Sequence, residues 1–186
     1  MDPHFTVDWT SLITHTWPVH VLPHVDRSGP VQWLEVGSFE GRSALWTVEN
    51  LLQTPGSRIY CVDRWEVWRN WEGGVDLDYE VNFDANTRGL EQVVKVKGES
   101  RDLLPRMSKG FFHGAYVDGS HEYGDVLLDA RMVAELVRPG AVVVFDDYEL
   151  PSCDGVKRAV NQLLAEWRDR VDVLHVGYQA IVRFRT

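Results

Sequence analysis

The sequence predicts an α/β fold: an open sheet of five parallel strands with helices on both faces, extended by a C-terminal antiparallel hairpin. Three observations predict it. Short apolar runs alternate with stretches of helical periodicity five times from residue 31 onward. The runs at 114–118 and 141–146 are almost wholly apolar, as strands covered on both faces should be. Near the end, Val171–Val176 and Ala180–Phe184 are separated only by Gly177-Tyr178-Gln179. No crossover fits in that gap, so the pair must be an antiparallel hairpin.

The first thirty residues stand apart and read as a cap on a domain spanning 31–186. They carry Trp9, Trp17, Pro3, Pro18 and Pro23. The spacing of Trp9, Leu12, Ile13 and Trp17 is helical, and Pro18 is expected to end that turn. His4, His15, His20 and His24 match no metal-ligand spacing and read as surface residues. Then follow a strand at 31–36 broken by Gly37, a helix from Ser43 to Leu52 closed by Pro55-Gly56, and a strand at 58–63. The polar stretch from Arg64 to Tyr79 holds Trp65, Trp68 and Trp71. It reads as a lid over a substrate or as a patch buried by a partner subunit. A helix from Phe83 to Leu90, a strand at 93–97 and a short helix within 101–108 come next. Tyr123 to Val137 is expected to be a helix stopped by Pro139-Gly140, and Gly155 to Arg170 is amphipathic.

Composition narrows the class. The chain has 186 residues, 44% hydrophobic and 25% charged, which suits one folded domain and excludes disordered and fibrous classes. Its net charge of −9 argues against wrapping nucleic acid. Two cysteines, Cys61 and Cys153, are too few for a disulfide framework and point to free thiols in a reducing cytoplasm. No apolar run approaches the roughly 18 residues of a membrane span. The start, Met1-Asp2-Pro3-His4, lacks the basic and apolar regions of a signal peptide. The expected partners are a small-molecule substrate and a second copy of the chain, with neither nucleic acid nor membrane.

In open α/β sheets ligands bind beyond the carboxyl ends of the strands. Here every parallel strand ends in or just before a carboxylate: Glu35, Asp63, Glu99, Asp118 and Asp146-Asp147. The first turn, Glu35-Val36-Gly37-Ser38-Phe39-Glu40-Gly41-Arg42-Ser43, lacks the G-x-G-x-x-G spacing of a pyrophosphate cradle and carries two acids. A plain glycine turn fits it as well as a ligand loop does. Asp63 stands where a ribose diol is usually bound, or is an ordinary loop aspartate. A nucleoside without phosphates but with a charged amino-acid end, S-adenosylmethionine, suits this set.

With these motifs the sequence resembles class I S-adenosylmethionine-dependent methyltransferases. It is most similar to the small-molecule O-methyltransferases related to macrolide-sugar and cephalosporin-biosynthesis enzymes. The similarity runs over about residues 31–185. It rests on E-x-G-x-x-x-G-x-S at Glu35, Gly37, Gly41 and Ser43, on Asp63 and Trp65, on Gly98 and Ser100, on Asp118-Gly119 with His121, and on Asp146-Asp147-Tyr148. The ending from Gly177 to Arg183 is also similar. The resemblance implies a Rossmann-like fold. It implies that Glu35, Gly37, Ser38, Gly41 and Ser43 hold the methionine end, with Asp118 nearby. Asp63 would take the ribose, and Trp65, Glu99 and Ser100 would border the adenine.

Asp118, Asp146 and Asp147 end neighbouring strands and can converge on a hard cation such as Mg²⁺, which would orient an acceptor oxygen and lower its pKa. Their other reading is a cap or a fold-stabilising pair. His121, three residues after Asp118, would be the general base of such an enzyme, or a loop histidine bonded to Asp118. The leading expectation is therefore methyl transfer from S-adenosylmethionine to a hydroxyl of a sugar, phenol or natural-product-like small molecule. The alternatives are a catalytically silent cofactor-binding scaffold and a nicotinamide oxidoreductase.

Overall fold

The computed structural model describes residues 3–12, 15–66, 68–69 and 76–186. After a 3₁₀ turn at Thr10–Leu12 comes α1 (Trp17–His20). Pro18 lies in its first turn. It therefore starts a helix rather than ending one, because its missing N–H is no loss there. The chain continues through β1 (Gln32–Val36), α2 (Arg42–Asn50), β2 (Arg58–Asp63), and a two-residue ribbon of β3 (Trp68–Arg69) and β4 (Asp76–Leu77). Next are α3 (Tyr79–Asn86), β5 (Val93–Lys97), α4 (Ser100–Leu103), β6 (Phe112–Val117), α5 (Tyr123–Leu136) and β7 (Val137–Phe145). The chain ends with α6 (Asp154–Glu166), β8 (Val171–Val176) and β9 (Ala180–Phe184). The expectation of a tryptophan-bearing lid falls largely on residues 67 and 70–75. These, with Trp71, lie outside the described residues.

The main sheet has the order β5-β2-β1-β6-β7-β9-β8. The first five strands in that order are parallel, and β9 is antiparallel to both β7 and β8, as expected. Two helix boundaries differ from expectation. The helix foreseen at 83–90 lies at 79–86, capped by the Asp78 side chain, which accepts from Val81 N. Pro139-Gly140 does not separate a helix from a strand. It lies inside β7, where the register against β6 shifts between Phe112 and Gly114. A bulge is where a sheet tolerates a residue without an N–H donor.

Residues alternate across the sheet and build two cores. Leu34 and Val36 of β1 face α5 and α6. Trp33 faces α1 and α2. Trp17 anchors the N-terminal segment in that second core, 6.0 Å from Trp33, 5.3 Å from Trp46 and 5.0 Å from Tyr116 between ring centres. Gly114 makes this packing possible, because a Cβ there would meet the Trp33 ring at 2.3 Å. The chain leaves β1 toward β2 on one side, while β6 lies on the other. The crevice between them is where such sheets bind ligands.

Candidate functional site

A cavity of about 730 Å³ opens along the carboxyl ends of all five parallel strands. Its wall includes Gly37 after β1, Asp63 at the end of β2, Gly98 to Arg101 after β5, Asp118 to His121 after β6 and Asp146-Asp147 after β7. A smaller cavity of about 40 Å³ adjoins it, bounded by Gly37 to Glu40, Arg42, Ser43 and the N-terminal residues Phe5, Val7, Trp9 and Thr10. The N-terminal segment is tied there by Thr6, whose N–H and hydroxyl donate to Glu40 at 2.8 and 2.9 Å, and by Trp9 against Phe39.

The first turn is built by close approach. Gly37 has φ +88°, and a Cβ on it would lie 1.9 Å from the Asp118 carbonyl oxygen. Only glycine lets the β1 and β6 loops touch there. Gly41, at φ +82°, begins α2. Glu35 is fully buried beneath this turn, and its Oε1 accepts from the Ser43 hydroxyl at 3.1 Å. Among the described residues, its Oε2 and the Ser38 hydroxyl have no hydrogen-bond partner. Burial pushes the Glu35 carboxyl up to about 7.

Two residues expected to touch a ligand are engaged within the chain itself. Asp63 borders the cavity, but its carboxylate accepts backbone N–H bonds from Ser38 (2.8 Å), Phe39 (2.9 Å) and Trp65 (2.7 Å). It clasps the first turn, leaving only residual lone pairs for a diol. Trp65 does not border the cavity. Its backbone takes φ +45°, its ring is buried against Phe83, and its indole N–H donates to Phe39 O at 2.8 Å. Glu99 does line the cavity, with Arg64 Nη1 at 3.4 Å from its Oε1. Ser100 lines it too and donates to Asp129 at 2.6 Å. Asp129 was not anticipated. It lies on the buried face of α5 beside Val126 and Val133, and an acid on an otherwise apolar helical stripe is the signal that could have revealed it.

At the opposite end Asp118, Asp146 and Asp147 converge, with one carboxylate oxygen of each within 4.8 Å of the others. Neutral groups hold two of them. The Tyr116 hydroxyl faces Asp146 at 2.7 Å and Asp118 at 3.1 Å. The amide of Gln179 donates to Asp146 at 2.7 Å, while its oxygen accepts from the Trp17 indole at 2.9 Å. Burial, then the charges of Asp146 and Asp147, push Asp118 well above the usual carboxylate range. Burial likewise raises Asp146. In Asp147 burial also acts upward, but hydrogen bonds from His121 and Tyr178 outweigh it and hold the group low. His121 Nε2 lies 3.0 Å from Asp147 and 4.0 Å from Asp118. The Asp147 hydrogen bond raises the imidazole. Tyr116, two residues before Asp118 on the same strand face, was legible in principle. Tyr178 and Gln179 arrive from the hairpin turn, and no local signal marks them as neighbours of the site.

A family model described as a methyltransferase domain matches residues 34–148, and the chain belongs to that family. No curated protein sequence matches it. Solved structures share the fold. The O-methyltransferase TomG from Streptomyces achromogenes, involved in tomaymycin synthesis and solved with S-adenosylmethionine, is 21% identical. The match covers 93% of this chain and 80% of that one, with a TM-score of 0.68. An O-methyltransferase from Bacillus cereus in complex with S-adenosylhomocysteine is 17% identical over 99% and 84% of the two chains, with a TM-score of 0.66. CalS11, a TDP-rhamnose 3′-O-methyltransferase of calicheamicin biosynthesis, is 17% identical over 97% and 88%, with a TM-score of 0.58.

Proposed function

We propose that this methyltransferase domain moves the methyl group of S-adenosylmethionine to a hydroxyl of a small molecule, with a divalent cation such as Mg²⁺ held by Asp118, Asp146 and Asp147. The observation that carries this reading is one continuous cavity. It joins the turn at Gly37 and the Gly98–Ser100 loop to the Asp118–His121–Asp147 cluster. The O-methyltransferases that share its fold support the choice of acceptor atom.

The residues fit both groups. Among the described residues, Glu35 Oε2 and Ser38 Oγ are buried without a partner, beside a turn that only glycine permits. An ammonium group would satisfy them. Three carboxylates crowded together, two of them forced upward, suit a hard cation with oxygen ligands. When bound, S-adenosylmethionine supplies an electrophilic methyl on a sulfonium, and the cation supplies polarisation of an acceptor oxygen.

The chain's own residues do the rest. Glu35, Ser38 and Ser43 hold the amino-acid end under the first turn. Asp63 keeps that turn closed and offers its remaining lone pairs to the ribose. Glu99 and Ser100 border the base. His121, whose Nε2 is held by Asp147 Oδ2, takes the acceptor's proton. The residues before position 31 act as a cap, with Phe5, Val7 and Trp9 excluding water from the methionine end. Tyr116 and Gln179 fix the carboxylates without neutralising them.

Calorimetric titration with S-adenosylmethionine and S-adenosylhomocysteine, with Mg²⁺ and then with chelator, tests the reading. Micromolar binding is the expected result. Folded protein that binds neither would end the methyltransferase assignment of this cavity.

A further inference from the structure

Cys153 takes no part in the chemistry above, and although it packs in the core beneath α5 and α6, its sulfur also faces polar side chains. It ends the 3₁₀ turn Pro151–Cys153, just ahead of α6. Gly155 lets α6 start directly on the loop after β6, since a Cβ there would lie 2.3 Å from the His121 carbonyl oxygen. This approach sets Cys153 Sγ 3.3 Å from His121 Nδ1 and 3.9 Å from Asp147 Oδ2. The thiol is buried, while His121 and Asp147 open on the cavity.

The geometry points to a second metal site in this protein: Cys153, His121 and Asp147 bind a thiophilic divalent cation, of which Zn²⁺ is the type. One donor atom from each lies within 4.8 Å of the other two. Zinc bond lengths to S, N and O give donor separations of roughly 3.3–3.6 Å in a tetrahedron. The sulfur contacts, 3.3 Å to His121 Nδ1 and 3.9 Å to Asp147 Oδ2, need shifts of only a few tenths of an ångström, and because Asp147 faces Nε2 the imidazole must also turn to offer one nitrogen to the ion. Three protein donors with a fourth position open to a cavity is the pattern of an accessible zinc site. The donor set also separates this site from the neighbouring carboxylates. Sulfur and imidazole favour Zn²⁺ or Co²⁺, whereas three carboxylates favour Mg²⁺. On binding, the Cys153 thiol gives its proton to solvent, and His121 coordinates as the neutral imidazole. Asp147 belongs to both sets, so the two cations compete for it. A bound Zn²⁺ also withholds His121 from an acceptor. That last consequence rests on the proposed function, and the binding itself does not.

Titration of the purified protein with Co²⁺, followed in the near ultraviolet, tests the site without any turnover. A thiolate-to-cobalt charge-transfer band saturating at one equivalent is expected, and it should vanish in Cys153→Ala. Co²⁺ held by carboxylates alone gives no such band. No band in the wild type, or a band that survives Cys153→Ala and so belongs to Cys61, would overturn the proposal. His121→Ala, which leaves the buried thiol in place, should weaken Co²⁺ binding by at least about a hundredfold. Unchanged affinity there would overturn it equally. If the protein methylates an acceptor, stoichiometric Zn²⁺ should inhibit the wild type and spare Cys153→Ala.

Discussion

Glu35→Gln separates what the fold needs from what the ligand needs. Glu35 is fully buried, with one oxygen bonded to Ser43 and the other unpaired. Its carboxyl titrates at about 7 in the fold against an ordinary 4.5 in the unfolded chain. Between those values the folded state binds more protons, so stability falls as pH rises and levels off above about 7. At about 1.4 kcal/mol per pH unit, ionised Glu35 costs the fold about 3 kcal/mol at pH 8 and under about 1 kcal/mol at pH 5. Glutamine carries no such charge, although its buried amide brings a cost of its own that does not change with pH. The stability of Glu35→Gln relative to wild type should therefore improve by about 2–3 kcal/mol between pH 5 and pH 8. For a chain of this length that is roughly 5–10 °C in melting temperature. Urea unfolding of both proteins without ligand at the two pH values measures it. The same variant should bind S-adenosylhomocysteine more weakly, a trade of stability against function. A difference between variant and wild type that does not change with pH would refute the argument, because it would mean that Glu35 is already solvated or paired.

Other perturbations test the remaining parts. Gly37→Ala should cost more than about 3 kcal/mol, because strain at φ +88° adds to a contact of 1.9 Å with Asp118 O. Gly89→Ala, at φ +80° with nothing within 4 Å, is the control that isolates the backbone strain in thermal melts. Trp17→Phe removes the indole donor to buried Gln179 and should cost about 1–3 kcal/mol in urea unfolding. It should also lower turnover through Asp146. Asp63→Asn turns an amide toward backbone N–H groups and should weaken S-adenosylhomocysteine binding roughly ten- to hundredfold by calorimetry. Asp147→Asn should leave that affinity intact and abolish Mg²⁺-dependent turnover, and a rate indifferent to chelator would remove the cation from the proposal.

The sheet was legible because short apolar runs alternate with helical periodicity, because the runs at 114–118 and 141–146, covered on both faces, are almost wholly apolar, and because each run stops at or just before a carboxylate. The hairpin followed from the length of Gly177-Tyr178-Gln179 alone. What the sequence hid was direction. Asp63 and Trp65 read as groups offered to a ligand, yet φ +45° at Trp65 accompanies a ring turned under the first turn and an Asp63 carboxylate that accepts backbone amides. Proline misled twice for one reason. Pro18 and Pro139 were read as breaks, but the consequence of a missing N–H depends on whether a partner was required, and neither a helix's first turn nor a bulge requires one. The contacts of Tyr178, Gln179 and Cys153 with the carboxylates depend on how α6 and the hairpin return to the sheet edge. Only the assembled fold specifies that return.

The donors around the carboxylates support the proposal that a cation binds at this edge of the sheet. Among the described residues, hydrogen bonds to Asp118 and Asp146 come from a phenol, a carboxamide and backbone, and Glu35 receives only a hydroxyl. Such partners fix the direction of an oxygen without cancelling its charge. Among the described residues the basic group facing them is His121, 3.0 Å from Asp147 and 4.0 Å from Asp118, and Asp147 alone of the three is held low. Had the cluster served only the fold, an arginine or lysine within reach would have stabilised it more cheaply than burial with neutral donors. Arg64 and Arg101, which do border the cavity, are instead engaged by Glu99. The charge left uncompensated lies at two places, beneath the first turn and between β6 and β7. The proposed ligands, a sulfonium-bearing amino acid and a divalent cation, would bring positive charge to those places. Their binding should raise the stability of the fold by removing a repulsion the empty chain must carry.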